Sequence, residues 1–167
     1  MADVFSKSKR SEVMSHIRSR GNQDTEVALA KLFRRHKITG WRRQVTLAVR
    51  SSRREEAHSS IRKSVGASSP RLLWVRVDFV FPKSRTAVFV DGCFWHGCPK
   101  HGTHPKGNRA FWKNKFARNI ARDLLVTRTL RSANWWVLRI WEHTLRRATM
   151  KPQNEARLLR RIQRALL

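Results

Sequence analysis

The chain has 167 residues, 40% of them hydrophobic, which suits one compact domain with a buried core and excludes wholesale disorder. Its 37 Lys and Arg against 11 Asp and Glu give a formal charge of +26, which opposes compaction unless a polyanion neutralises it; nucleic acid fits that footprint. No stretch reaches the ~18 apolar residues of a spanning helix, and MADVFSKSKR carries no apolar signal core, so the expectation is a cytoplasmic protein with no membrane partner.

In chain order, SEVMSHIRS (11–19) places Val13, Met14 and Ile17 as a short amphipathic helix. Asp24 or Thr25 is set to cap a second helix, EVALAKLFRRH, which runs to about His36 and stops at Thr39-Gly40. WRRQVTLAV (41–49) alternates weakly, as a strand does. From Arg50 to Pro70 the periodicity disappears among Ser, Arg and Lys, and residues of about 50–74 read as a flexible insertion in a single domain spanning 1–167. VRVDFVF (75–81) and TAVFVD (86–91) are rich in β-branched and aromatic residues and form a hairpin across PKSR. A long helix starts near Asn108, with Trp112, Phe116, Ile120, Leu124 and Thr127 as its apolar stripe. WWVLRIW (135–141) is a buried strand, and NEARLLRRIQRALL is a final helix with Leu158, Leu159, Ile162, Ala165 and Leu166 on one face. Strands interspersed with helices predict an α/β sandwich around a mixed sheet; seven glycines in all argue against phosphate-cradling loops.

The chemistry gathers in DGCFWHGCPKHGTHP (91–105), which holds both cysteines of the chain. In a reducing compartment such a pair reads as metal ligands or free thiols rather than a disulfide. Cys93, Cys98 and His101 supply three zinc-type ligands, and His104 or the distant His143 completes a tetrahedral set. Among the few acids, Asp78 sits inside an apolar strand and Asp91 ends the next, an arrangement of hard oxygens suited to magnesium. Arg76 is the structural alternative as partner to Asp78, since a carboxylate buried in a strand costs several kcal/mol if unpaired. Glu26 is either a third acid of that site or a dipole partner in the first turn of its helix. His96, between the cysteines, is a candidate general base on water, against a plain exposed histidine. Phe94-Trp95 and Phe111-Trp112 serve either as core or as wedges between base pairs, and the arginines of 109–131 and of the last helix as grips on phosphates.

DFVFPKSRTAVFVDGCFWHGCPKHGTHP, then FWKNKFARNIARD and WVLRIWEH, resemble the very short patch repair mismatch endonucleases, as does the opening MADVFSKSKRSEVMSHIRSRGNQDTEVAL. The resemblance implies a restriction-endonuclease-like three-layer fold, its central mixed sheet flanked by helices, with a structural zinc. It also implies a magnesium-dependent nick beside the thymine of a T·G mismatch in double-stranded DNA, the product of 5-methylcytosine deamination. By position, Asp78 matches the metal-binding catalytic aspartate, His96 the catalytic histidine and Glu26 an acid near the site. Val90 matches a carbonyl donor to magnesium, with Asp91 beside it. Cys93, Cys98, His101 and His143 match the zinc ligands, and Phe94, Trp95 and Trp112 the aromatics that wedge into DNA. A monomer is expected, with repair proteins as possible partners. The chain departs from the family pattern where Val77 and residues 50–74 replace a short Gly- and Pro-containing turn before the aspartate. A catalytically impaired, zinc-stapled DNA-binding protein is therefore the alternative, and a zinc-containing RNA-binding protein a third reading.

Overall fold

The computed structural model describes residues 23–50, 72–102, 105 and 107–167. The helix expected over 11–19, most of the insertion, and His104 lie outside the described residues.

Four strands form one mixed sheet in the order β1 (Arg42–Arg50), β2 (Leu72–Phe81), β3 (Thr86–Asp91) and β4 (Trp136–Trp141). β1–β2 and β2–β3 are antiparallel, while β3–β4 are parallel and joined through helix α2 (Arg109–Ser132). α2 covers one face of the sheet. The other face is covered by α1 (Ala28–Arg35), α3 (Glu142–Met150) and α4 (Pro152–Leu166), giving the three layers expected. Among the described residues, no helix is long and apolar enough to cross a membrane.

Each face carries its own core. Phe33, Phe79, Val88, Ile140, Leu145 and Ile162 are fully or almost fully buried under α1, α3 and α4. Phe33 meets Phe79 and Phe81 edge to face at centroid separations of 5.3 and 5.5 Å. Burying each such side chain contributes about 1.5–3 kcal/mol. Val75, Val77, Val80, Ala87, Phe89 and Val137 form the second core with Val126 and Leu130 of α2.

Three expectations need correction. β2 begins at Leu72 rather than Val75, because Leu72, Leu73 and Trp74 pair with Arg50, Val49 and Ala48 and so continue the ladder into the expected insertion. The first described helical residues, Gln23–Val27, form a single π turn that runs into α1, so Asp24 and Thr25 lie inside the helical run rather than before it. In α2 the expected stripe is rotated: Ile120 and Leu124 are 40% and 51% exposed, while Phe116, Val126, Thr129 and Leu130 are buried. The inward face instead carries Asn119 and Asp123, polar residues that meet the cleft described below, so apolar content did not mark it.

The alternation of β2 slips by one residue at Asp78. Val75 and Val77 face α2, but so does Val80, while Phe79 and Phe81 face the opposite core. The β1 ladder omits Gln44 opposite Asp78, and Gln44 has φ +53°, a left-handed conformation that costs a non-glycine residue on the order of 1 kcal/mol. β2 and β3 pair from Phe79–Val88 to Phe81–Thr86 and separate beyond it. The kink therefore leaves Asp78 at the fork where two strands part.

Candidate active site and metal centre

In place of a ladder bond at this fork, the Asp78 carboxylate accepts the Val90 N–H at 2.8 Å. Arg76 does not pair with it; the Arg76 guanidinium donates instead to Gln44 Oε1 at 2.6 Å. Gln44 in turn donates to Glu26 at 2.6 Å, and Arg43 lies 3.3 Å from the same oxygen. Among the described residues no Lys or Arg pairs with Asp78. Its pKa is pushed up from 3.8 to about 6, chiefly by burial, against the Val90 hydrogen bond, with the charges of Glu26 and Asp91 adding to the rise. A half-buried carboxylate with no Lys or Arg partner among the described residues is a hard-oxygen donor that a divalent cation would relieve.

Asp78 opens into a cleft of about 410 Å³ between the sheet and α2, lined also by Val90, Asp91, Trp95, His96, Lys115, Asn119, Arg122, Asp123 and Arg139. His96 enters this cleft from the loop after β3, and its Nδ1 donates to Asp123 Oδ2 at 2.6 Å, with Asp91 at 3.7 Å. Burial alone would lower the His96 pKa, but the Asp123 hydrogen bond and the two carboxylates outweigh it and hold it above the ordinary value. Asp123 sits below the usual carboxylate range: burial would raise it, and the contacts with His96 and Arg139 prevail. This is a base held by an ionised orienting acid, the arrangement needed to accept a proton at the other ring nitrogen.

Asp91 departs from its expected role. It is 3% exposed, and both its oxygens accept hydrogen bonds from Arg139, at 2.6 and 2.7 Å. While that pair stands, its carboxylate is not free to share a cation with Asp78. Neither Asp123 nor Arg139 stood out in the sequence. Arg139, a charged residue within the apolar strand VLRIW, offered the same signal that singled out Asp78.

A second cluster lies behind the same loop. One ligand atom each from Cys93, Cys98, His101 and His143 come within 4.8 Å of one another. Cys93 Sγ and Cys98 Sγ lie 3.2 and 3.5 Å from His143 Nδ1, and Cys98 Sγ lies 3.8 Å from His101 Nδ1. The edges of a tetrahedron of thiolates and imidazoles around one ion are roughly 3.3–3.8 Å, so these four residues can hold a metal ion. His143 lies in the first turn of α3, so the cluster ties the loop to the far side of the sheet. Glu142 strengthens the tie by accepting the Cys93 N–H at 3.0 Å. Gly97, between His96 and Cys98, has φ +62°, and a Cβ there would meet Ile120 at 3.2 Å; a side chain is disfavoured on both counts.

Phe94, Trp95 and Trp112 meet as one aromatic group. Phe94 lies 5.0 Å from Trp95, 5.3 Å from Trp112 and 5.4 Å from Phe116, all edge to face. The first three are half-buried and Phe116 is buried, while Phe111 is 53% exposed. Asn119 Nδ2 fixes the loop by donating to the Trp95 carbonyl at 2.8 Å.

Residues 70–101 match the family model of the DNA mismatch endonuclease Vsr. The chain is 30% identical over 168 residues to the type II nicking enzyme V.NmeAIP of Neisseria meningitidis serogroup A, covering 99% of this chain and 100% of that protein. It is 51% identical over 69 residues to the type II nicking enzyme V.NaeI of Lentzea aerocolonigenes, 41% of this chain and 42% of that one. It is 36% identical over 75 residues to the DNA mismatch endonuclease Vsr of Escherichia coli, 42% and 46% of the two. The matches to the last two span less than half the length of each relative.

Proposed function

From the premise that the chain belongs to the very short patch repair endonuclease family, we propose that it is a DNA endonuclease that nicks one strand beside the thymine of a T·G mismatch. The observation that carries this is the meeting of two groups in one cleft: Asp78, half-buried and without a Lys or Arg partner among the described residues, and the His96–Asp123 pair. A DNA-binding protein without catalysis needs neither.

Asp78 and the Val90 carbonyl are the donors we assign to magnesium, which would supply charge stabilisation at the phosphoryl group when bound; Glu26, already held by Gln44 and Arg43, is the acid near the site. Arg139's hold on Asp91 argues for leaving that carboxylate out of the donor set. His96 accepts a proton from the attacking water at Nε2, while Asp123 fixes the ring through Nδ1. The water oxygen bonds to phosphorus as the bond to the leaving sugar oxygen breaks. Cys93, Cys98, His101 and His143 hold zinc, a soft and borderline donor set that suits this ion better than magnesium. Phe94, Trp95 and Trp112 present an aromatic surface beside the cleft, suited to parting the stack at a mismatch. Lys115 and Arg122 at the cleft wall suit the phosphate backbone. An intracellular monomer working with other repair proteins fits this activity.

The test is nicking of an end-labelled duplex holding one T·G mismatch, with magnesium and with EDTA, beside a matched T·A duplex. Magnesium-dependent cutting of the thymine strand alone is expected. Tight binding of the mismatched duplex without a cut would favour the impaired DNA-binding protein, and equal cutting of both duplexes would remove the mismatch specificity.

A further inference from the structure

Arg139 lies mid-strand in β4, level with Phe89 of β3, on the face that α2 covers. A guanidinium has five N–H donors, and all of its nitrogens are engaged here. Nε donates to Asp91 Oδ2 at 2.7 Å, and Nη2 to Asp91 Oδ1 at 2.6 Å, with Asp123 Oδ1 at 2.9 Å. Nη1 reaches the Asp123 carbonyl at 3.4 Å and Thr127 Oγ1 at 3.5 Å. The ring of Phe89 lies under the guanidinium at 5.2 Å.

The consequence falls on Asp123. One of its oxygens is taken by Arg139 and the other by His96 Nδ1, so the carboxylate is fixed at both ends. Its backbone carbonyl receives the same guanidinium, which locks the side chain to its own turn of α2. His96 comes from a loop, with Nε2 free of any partner among the described residues; the orientation of its ring depends on the carboxylate it meets. Without the fork, Asp123 would face Asp91 as a like charge, and nothing would hold it toward the imidazole.

We propose that Arg139 is a positioning residue for the nick: by joining Asp91 and Asp123 it holds Asp123, and through it His96, with Nε2 presented to the cleft. Asp91 anchors Arg139 and does not touch the reacting atoms. The inference rests on His96 being the base, as proposed above. Arginine is required because only a planar fork engages one carboxylate with two nitrogens while still reaching a second. Lysine supplies the charge but not the bridge.

Two variants test this. Arg139→Lys keeps a cation against Asp91 and so preserves the fold, while Asp91→Asn/Arg139→Gln removes both charges together at similar volume. For each, the single-turnover nicking rate should fall about 10- to 100-fold while the Kd for the same duplex stays within about twofold. A parent-like rate in either folded variant, or a rate that falls only in step with affinity, would overturn the proposal. His96→Ala is measured alongside: if it nicks as the parent does, the assignment of the base has failed and not the bridge. The bridge is then judged by nitrogen-15 NMR of His96. The Nδ1–H resonance, shifted downfield by Asp123 in the parent, should be lost or move upfield in Arg139→Lys. An unchanged resonance would sink the proposal whatever the activity.

Discussion

Replacing Asp78 by Asn should make the protein more stable while abolishing the nick. In the free protein this carboxylate pays for its position: burial at the fork raises its pKa from 3.8 to about 6, with the Val90 hydrogen bond as partial compensation. At 1.36 kcal/mol per pK unit, that rise corresponds to about 3 kcal/mol of destabilisation in the ionised state. The sign follows from the direction of the shift. Below 3.8 the folded and unfolded chains both carry the proton and the penalty vanishes; it grows as pH rises and is complete above about 6. Asn retains an acceptor for the Val90 N–H and carries no charge. For a domain of this size, about 3 kcal/mol corresponds to roughly 6–12 °C in Tm. Thermal melts of the parent and of Asp78→Asn at pH 8 and pH 4 provide the measurement. A gain at pH 8 that shrinks toward zero at pH 4 is expected. Added magnesium should narrow the gap at pH 8, because binding stabilises only the form with the carboxylate. A variant that melts at or below the parent at pH 8, or gains as much at pH 4, would refute the assignment of Asp78 as the strained group.

His96→Ala should lower the single-turnover nicking rate by about 10²- to 10⁴-fold with little change in duplex affinity. In the parent, the rate should rise with pH through a midpoint above the ordinary histidine value of 6.5, because the base acts in its neutral form and Asp123 holds the charged form in place; that limb should be absent in the variant. Elemental analysis should find about one zinc per folded chain, and His143→Ala should lose both the metal and the cooperative melt, since a structural zinc is worth about 10–16 kcal/mol against a total stability of 5–15. Duplex affinity should fall about 10³- to 10⁵-fold between ~50 and ~200 mM salt if six to ten phosphates are gripped; a flat dependence would show that the charge of the chain serves something other than DNA.

Periodicity made the strands legible because the sheet is covered on both faces and its apolar residues crowd together. Asp78 was legible for the opposite reason, as a charge inside such a run. The slip in alternation was not, since it depends on Gln44 taking a left-handed φ opposite Asp78, and neither residue signals this alone. The buried face of α2 was misread because Asn119 and Asp123 point inward to a polar cleft while Ile120 and Leu124 stay largely exposed. Asp91 was read from its place at the strand end, which says nothing of the cation 48 positions further along that meets it. The zinc-type ligands were legible in kind from Cys93, Cys98 and His101; spacing alone left His104 and His143 open as the fourth, the family resemblance pointed to His143, and the parallel pairing of β3 and β4 brings His143 to the loop.

The departure before Asp78 can be weighed in the same physical terms. Val77 is completely buried in the core under α2, with Val75 beside it at 3% exposure. These contacts hold the strand as it enters the fork, a task that does not require the Gly- and Pro-containing turn of the family. What reaches the cleft from the loop side depends more on residues 92–102. Fixing about ten residues of irregular backbone costs on the order of 10–20 kcal/mol. The hydrogen bonds from this loop, among them Cys93 to Glu142, Trp95 to Asn119 and His96 to Asp123, contribute only about 0.5–1.5 kcal/mol each, somewhat more where a charge takes part. Packing of Phe94 and Trp95 against Trp112 and Phe116 adds to these, and a structural ion at Cys93, Cys98, His101 and His143 would add about 10–16 kcal/mol more. On the proposed reading, the zinc-type cluster supports the candidate base: an ion tying the loop to His143 would hold from behind the segment that presents His96 to Asp123.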